Sequence, residues 1–251
     1  MTHNEFRNKV YSRYFRTHFS EYALNRPTRE SYERHALGFE HNYGRLLNNL
    51  QPNSRVLDVA CGMGQCSYWL QKKGCQVEGI DLSCEQLELA KKICGDEIKL
   101  YKGDALDFLR RKDMRGQYDC IIANDFLEHL IRSEALQFIE SCFNALIPGG
   151  VVILRTPNAT CPGAGRFYDD VTHERPYTNR SLTQLLNVAC FEGVHVFSYQ
   201  PYPFRSVCSV AAWLAKNVTW RLYKLRLFLH DFALKPHTVG KVIVGSGVKQ
   251  R

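Results

Sequence analysis

The chain has 251 residues, of which 45% are hydrophobic, 12% aromatic and 23% charged. That length holds one large domain or two small ones with a full core, and the composition excludes a disordered or fibrous chain. Thirty-three Lys and Arg against 25 Asp and Glu give +8, gathered in residues 1–35 and 216–226, an excess that suits nucleic acid, an anionic membrane surface or an acidic substrate without choosing among them.

In chain order, residues 1–50 read as helical and precede the rest as a cap, leaving 51–251 as one globular unit. Met1 to Val10 carries no apolar run behind its charges, so no secretory leader is expected, and no stretch is apolar for long enough to span a membrane. From Arg55 onward, short β-rich runs alternate with helical stretches. The runs are Arg55 to Val59, Cys75 to Asp81, Ile98 to Gly103, Tyr118 to Asn124 and Val151 to Thr156. The helical pieces are Gln65 to Lys73, Cys84 to Cys94, a short one around Asp107 to Lys112, and Ser133 to Leu146, the last ended by the turn "IPGG". Asn179 to Ala189 reads as a helix with Thr178 or Asn179 as its cap, Val194 to Tyr199 as a strand, and Lys241 to Gly247 as the final strand. Such alternation is the signature of a parallel sheet with helices on both faces, whose post-strand loops form the ligand-binding edge. The segment Pro157 to Tyr177, without periodicity and placed after a strand, belongs to that edge. The ten cysteines are scattered singly, with no C-x-x-C pair and no zinc-ligand spacing, as expected of reduced thiols in a cytosolic protein.

"VLDVACGMGQCSYWL" (Val56 to Leu70) is an apolar strand, a glycine turn and a helix. Gly62 and Gly64 let the backbone turn tightly and approach a ligand, and the helix start favours polar or anionic groups. Asp58 lies inside the strand, where a carboxylate needs a partner, and Asp81 ends the next strand, where an acid can accept from both hydroxyls of a ribose. The plain alternative is a structural turn with a salt-bridged aspartate. A dinucleotide site would place a third glycine at position 67, which is Ser67 here.

Together "VLDVACGMG", "VEGIDLS", "KGDAL", "YDCIIANDFLEHL" and "LIPGGVVILRTPN" resemble the successive motifs of class I S-adenosylmethionine-dependent methyltransferases, over roughly Arg55 to Asn158. The resemblance implies a Rossmann-like α/β fold: a seven-stranded, mostly parallel sheet with the last strand antiparallel, helices on both faces and an N-terminal helical cap. It implies S-adenosyl-L-methionine as cofactor, with Asp58, Ala60, Gly62 and Gly64 around its methionine moiety. Asp81 would hold the ribose, Leu82 would pack beside the adenine, Asp104 and Ala105 would meet the adenine edge, and Asn124 and Phe126 would border the sulfonium. Ala60 stands where a glycine is more usual. Glu128 and His129 match an "EH" that often follows the fourth strand, with capping and packing of the next helix as the plain alternative to catalysis.

Substrate chemistry is expected in "FYDDVTHERPYTNRSL" (Phe167 to Leu182), a dense polar loop more weakly similar to methyltransferases of polysaccharide and other glycan pathways. A hydroxyl attacking a methyl sulfonium must lose its proton, and a neutral imidazole oriented by a carboxylate accepts one near neutral pH. His173 with Asp170 or Asp169 supplies that pair. The alternatives are a loop knit by its own hydrogen bonds and a divalent metal held by the same carboxylates, an incomplete set for which no metal is expected. Arg166 and Arg175 could meet phosphate or uronate groups or pair with the local acids. Trp213 to Lys235 sets Leu214, Val218, Leu222, Leu225 and Leu229 at helical spacing beside Lys216, Arg221, Lys224 and Arg226. Either this helix covers the domain, the reading preferred here, or it lies on an anionic membrane.

The expected activity is therefore methyl transfer from S-adenosylmethionine to a sugar or glycan hydroxyl, in the cytoplasm or at the inner face of a membrane. The rivals are transfer to a small aromatic, quinone-like or lipid-linked acceptor, and a non-catalytic cofactor- or nucleic-acid-binding module. No nucleic-acid recognition motif is present, and "NDFL" stands where amino-methylating enzymes of bases carry an Asn/Asp-Pro-Pro-Tyr segment.

Overall fold

The computed structural model describes residues 3–11, 13–18, 27–161, 165–200, 207–230, 238 and 240–250. Helices α1 (His3–Tyr11), α2 (Tyr14–His18) and α3 (Arg29–Tyr43) precede β1 (Arg55–Val59). There follow α4 (Gln65–Lys72), β2 (Gln76–Asp81), α5 (Cys84–Cys94), β3 (Lys99–Lys102), α6 (Ala105–Arg110) and β4 (Tyr118–Asn124). The chain continues through α7 (Arg132–Ala145), β5 (Leu146–Pro157), α8 (Gly165–Tyr168), α9 (Asn179–Val188), β6 (Glu192–Ser198), α10 (Val207–His230) and β7 (Val242–Val248).

The seven strands form one sheet in the order β3-β2-β1-β4-β5-β7-β6. β1 pairs in parallel with β2 and β4, and β4 with β5, whereas β7 runs antiparallel to both β5 and β6. This is the expected Rossmann-like sheet, with the last strand inserted antiparallel. Strands buried on both faces must be apolar throughout, and Val56, Leu57, Ile121, Ile122, Val152 and Ile153 are fully buried. The order reverses at β1 and β4, so the crevice beyond their carboxyl ends is the natural ligand site.

Local chemistry sets the helix starts. Ser83 caps α5 by accepting from Gln86 N, Asp104 caps α6, and Thr178 caps α9 by accepting from Ser181 N, the last being one of the two caps expected. One sheet face is covered by α6, α7 and α9, with Phe138, Ile139, Leu182 and Leu186 in its core. The other face is covered by α4 together with α3. Tyr32, Phe39 and Tyr43 of α3 share a core with Trp69, Ile122 and Ile153, so this helix of the expected cap is a layer of the domain itself.

Two expectations are corrected. "IPGG" is not a turn before the strand. β5 starts at Leu146, and its register against β4 jumps between the Tyr118–Leu146 and Cys120–Val151 pairs, so the two glycines form a bulge. Nor do the leucines of the long helix bury against the domain. Leu214, Val218, Leu222, Leu225 and Leu229 of α10 are 52–62% exposed. Trp213 and Lys216 lie outside the side chains described, as do residues 231–235.

Candidate active site

A cavity of about 480 Å³ opens beyond the carboxyl ends of β1, β2 and β4. Its floor is the turn after β1. Ala60 (φ 51°), Gly62 (φ 54°) and Gly64 (φ 79°) all adopt left-handed backbone there, a conformation that costs an L side chain roughly 1–2 kcal/mol. Ala60 and Gly62 line the cavity, and Gly64 does not. A Cβ on Gly64 would meet Ala90 Cβ at 2.9 Å and Cys94 Sγ at 3.3 Å, so this glycine lets α4 pack against α5 rather than opening the approach to a ligand.

Asp58 is buried, accepts from Ser67 Oγ at 2.6 Å and faces the cavity. Burial pushes its pKa up to about 7, against the pull of the Ser67 hydroxyl, so it awaits a cation to balance its charge. Asp81 accepts from Gly62 N at 2.9 Å and Ser83 N at 2.8 Å. These bonds aim the carboxylate while burial raises its pKa. Leu82, 43% exposed, offers an apolar platform beside it. Asp104 Oδ1 accepts from Leu106 N at 2.8 Å and Asp107 N at 3.2 Å, which fixes Asp104 and Ala105 on the cavity wall. Asn124 accepts from Tyr43 Oη at 2.6 Å, and its Nδ2 is buried without a hydrogen-bond partner on the cavity side of β4. Phe126 packs edge-on against Phe138, 5.0 Å between ring centres.

The mouth of the cavity is aromatic. Tyr11, Tyr14, His35, Phe39, His129, Tyr199 and the Arg155 guanidinium line it. None of the tyrosines, nor His35 or Arg155, was singled out by motif. Arg155 is paired with Asp125 and lies 5.3 Å from the Tyr199 ring centre and 5.9 Å from that of Phe39.

The expected His173–Asp170 pair does not form. His173 Nδ1 donates to Phe167 O at 2.7 Å, and Asp170 contributes only its backbone carbonyl, to His173 N. Asp169 is exposed, and the Arg175 guanidinium sits over the Tyr177 ring at 5.3 Å. The buried Asp170 carboxylate instead accepts from Tyr14 Oη, from Thr172 N at 2.8 Å and from Thr172 Oγ1 at 2.7 Å, with His18 Nδ1 at 3.2 Å. Although burial opposes its ionisation, the Tyr14 and Thr172 bonds hold its pKa below the ordinary value. The imidazole on the cavity wall is His129, whose Nδ1 lies 2.8 Å from Thr172 Oγ1. An ionised Asp170 only accepts, so the single Thr172 hydroxyl proton points to it, and Thr172 therefore accepts from His129 Nδ1–H. The lone pair of His129 is left on Nε2. Burial, reinforced by the neighbouring His173, lowers the His129 pKa to about 4 and keeps the ring neutral. The two imidazoles lie edge to face, 4.7 Å apart. Glu128, next in the same turn, is 1% exposed, has the Thr156 hydroxyl beside it but neither oxygen at good hydrogen-bond geometry, and has its pKa pushed well up by burial and then by Asp125.

A nucleotide-sized crevice at the switch point, with an acid inside β1, a braced acid ending β2 and a glycine turn between them, defines a Rossmann-like transferase site. S-adenosylmethionine fits it on three counts. The ammonium would neutralise the buried Asp58, the ribose hydroxyls would donate to Asp81, and a carboxylate or amide acceptor would satisfy the orphaned Asn124 Nδ2. A family model described as a methyltransferase domain matches residues 30–201, and the chain belongs to that family.

Among relatives, the ubiquinone biosynthesis O-methyltransferase of Psychrobacter cryohalolentis is 33% identical over 113 residues, 41% of each chain. The counterpart in Shewanella pealeana is 35% identical over 107 residues, 41% of this chain and 44% of that one. The chain thus spans about two-fifths of the length of the curated relatives it matches. A solved S-adenosylmethionine-dependent methyltransferase from Archaeoglobus fulgidus superposes with TM-score 0.65 at 19% identity, covering 93% of this chain and all of that one. Phosphoethanolamine N-methyltransferase 2 of Haemonchus contortus, solved with S-adenosylmethionine, superposes with TM-score 0.59 at 16% identity, over 91% of this chain and 59% of that one.

Proposed function

We propose that the chain transfers the methyl group of S-adenosylmethionine to a hydroxyl oxygen of an aromatic acceptor seated in the cavity mouth. Asp58, Asp81, Leu82, Asp104, Ala105, Asn124 and the backbone around Ala60 and Gly62 hold the cofactor, and Phe126 borders the reacting carbon. The sulfonium supplies an electrophilic methyl. What the protein adds is alignment of the incoming oxygen with it, which removes the entropic cost of their meeting. An acceptor ring would stack among Tyr11, Tyr14 and Tyr199. A sugar hydroxyl has less support, because rings rather than fixed polar groups dominate the wall. The O-methyltransferase names of the relatives favour the same choice.

The observation that carries this reading is the pair of fixed imidazoles. His129 and His173 both spend Nδ1–H on protein oxygens, so both Nε2 lone pairs are left free of those bonds, on His129 at the cavity wall and on His173 in the ring packed against it. The hydroxyl proton leaves there. Asp170, Thr172 and Tyr14 act at one remove, by holding His129 in place.

Radiolabelled S-adenosylmethionine offered with catechols, hydroquinones, simple glycosides and primary amines tests it. Label is expected on an aromatic oxygen, and His129→Ala should lower turnover about a hundredfold with unchanged affinity for S-adenosylhomocysteine. Label on amines or glycosides alone refutes the acceptor class.

The location we propose is a membrane surface. No described helix is long and apolar enough to cross a bilayer, but the aliphatic stripe of α10 is exposed, Arg221, Lys224 and Arg226 flank it in the open, and the helix contains no acid. An anionic lipid headgroup layer matches both charge and apolarity.

A further inference from the structure

We propose that Glu128, His129 and His173 bind one divalent transition-metal cation at the corner of the cavity where the acceptor's hydroxyl arrives. This rests on the hydroxyl-transfer reading for its purpose, though not for its chemistry.

One donor atom from each of the three side chains lies within 4.8 Å of the others, so a modest closing movement brings all three to ligand distance, about 2.0–2.2 Å from a common centre. The three come from two segments held in fixed relation. Glu128 and His129 belong to the turn Leu127–His129, His173 to the loop after β5, and Glu128 O accepts from Glu174 N at 2.8 Å and Arg175 N at 3.2 Å.

Glu128 supplies the independent sign of a ligand. A carboxyl that is 1% exposed, with only a poorly aligned Thr156 hydroxyl and backbone N–H described beside its oxygens, is costly to leave uncompensated. The Arg155 guanidinium, whose charge reaches Glu128, is already engaged by Asp125, and that of Arg175 lies over the Tyr177 ring. A cation would satisfy both oxygens.

The imidazoles supply the second sign. A metal-bound histidine characteristically donates its other ring N–H to an oxygen, which fixes tautomer and orientation. His129 Nδ1 does so to Thr172 Oγ1 at 2.8 Å, and His173 Nδ1 to Phe167 O at 2.7 Å. Asp170 extends the first of these through Thr172. The loop aspartate therefore acts as a positioning residue behind a ligand, which accounts for its turning away from His173. Two imidazoles with one carboxylate are a donor set for zinc, iron(II), cobalt or nickel, and a poor one for calcium or magnesium.

Three protein ligands leave a coordination position open. An acceptor hydroxyl entering it would be acidified as metal-bound water is, its pKa falling toward neutrality. With both Nε2 lone pairs taken up by the cation, the imidazoles no longer act as bases, and the O–H bond breaks with its proton passing to water. The oxygen's electron pair then forms the bond to the methyl carbon as the S–CH3 bond breaks, and neutral S-adenosylhomocysteine leaves.

The test uses the full chain, stripped with a chelator and titrated with Co2+, followed by calorimetry and by the visible ligand-field spectrum. One cobalt per chain is expected, with a nitrogen–oxygen spectrum lacking thiolate charge transfer. Glu128→Gln, His129→Ala and His173→Ala should each weaken it by at least roughly tenfold. Thr172→Val, which touches no ligand position, should weaken it about 10- to 100-fold. Unchanged binding of S-adenosylhomocysteine shows that each variant is folded. No stoichiometric cobalt, cobalt bound through cysteines, or affinity indifferent to all four changes overturns the site. If cobalt binds as described but no hydroxyl compound is methylated, the acceptor reading falls and the site stands. Full hydroxyl methylation by stripped protein that takes up no cobalt does the reverse.

Discussion

Gly64→Ala separates two uses of the glycine turn that the motif does not distinguish. If Gly64 made room for the cofactor, the methyl would cost affinity. The structure assigns it another task, since the added Cβ points at α5, 2.9 Å from Ala90 Cβ, 3.3 Å from Cys94 Sγ and 3.4 Å from Ala90 Cα. Two of these contacts lie on Ala90, which cannot swing aside without moving its helix, and forced overpacking costs about 1–3 kcal/mol. The left-handed φ of 79° adds strain of roughly 1–2 kcal/mol. Against both, the stiffer unfolded chain gives back about 0.4–1 kcal/mol. The net is a loss of about 2–4 kcal/mol. For a chain of this size, at about 2–4 °C per kcal/mol, the unfolding midpoint should fall by about 10 °C. Affinity for S-adenosylhomocysteine, measured calorimetrically well below both midpoints, should hold. Gly62→Ala is the counterpart: its Cβ would meet only the Gln86 side-chain amide, at 2.8 Å, which can move, so its midpoint should fall less. An unmoved midpoint with lost affinity in Gly64→Ala would refute the packing argument and return the residue to the cofactor.

The titration of Asp58 gives a pH signature. Burial holds its native pKa at about 7, above the unfolded value of about 3.9. The native state thus binds the extra proton between those values, and the stability this contributes is present at low pH and lost as pH rises toward 7. Ligand binding runs the other way, because an ammonium group favours the ionised acid, so S-adenosylhomocysteine should bind more tightly as pH rises from about 5.5 to 7.5. Asp58→Asn should flatten that slope, and a slope that survives the substitution excludes Asp58 as its source. At α10, the full chain should float with anionic vesicles and release in high salt, while Leu222→Asp with Leu225→Asp should abolish flotation. Binding insensitive to these leucines removes the membrane proposal.

Legibility in the sequence followed the range of the forces involved. β1, its turn and α4 could be read because an apolar run, left-handed glycines and a helical period are neighbours in the chain. The acids inside β1 and at the end of β2 could be placed because the carboxyl end of a strand fixes a position in the sheet. The mouth could not. Tyr11 and Tyr14, Arg155, and Tyr199 converge from three distant segments, and nothing in the spacing of a ring or a guanidinium announces which cavity it will wall. The apolar stripe of α10 was legible as a stripe, but periodicity is silent on whether a helix face meets a core or the outside. "IPGG" holds turn residues that serve equally in a bulge, and the pairing of β5 with β4 decided between them.

The loop after β5 shows where local reasoning competes with itself. Asp170 and His173 are spaced to pair through their side chains, but an aspartate can also accept from the backbone N–H two residues on, at almost no entropic cost. Asp170 does this, with Oδ1 on Thr172 N at 2.8 Å, and the same oxygen takes the Thr172 hydroxyl. That turn aims Thr172, not Asp170, at an imidazole, and the imidazole in reach is His129, from a turn 43 residues earlier in the chain. "EH" after the fourth strand was visible from the start as either packing or chemistry. The choice between them belongs to the later loop, which fixes which nitrogen of His129 carries the proton and brings His173 alongside. A motif can thus place a residue on the cavity wall while leaving its hydrogen bonding to a segment with no motif of its own.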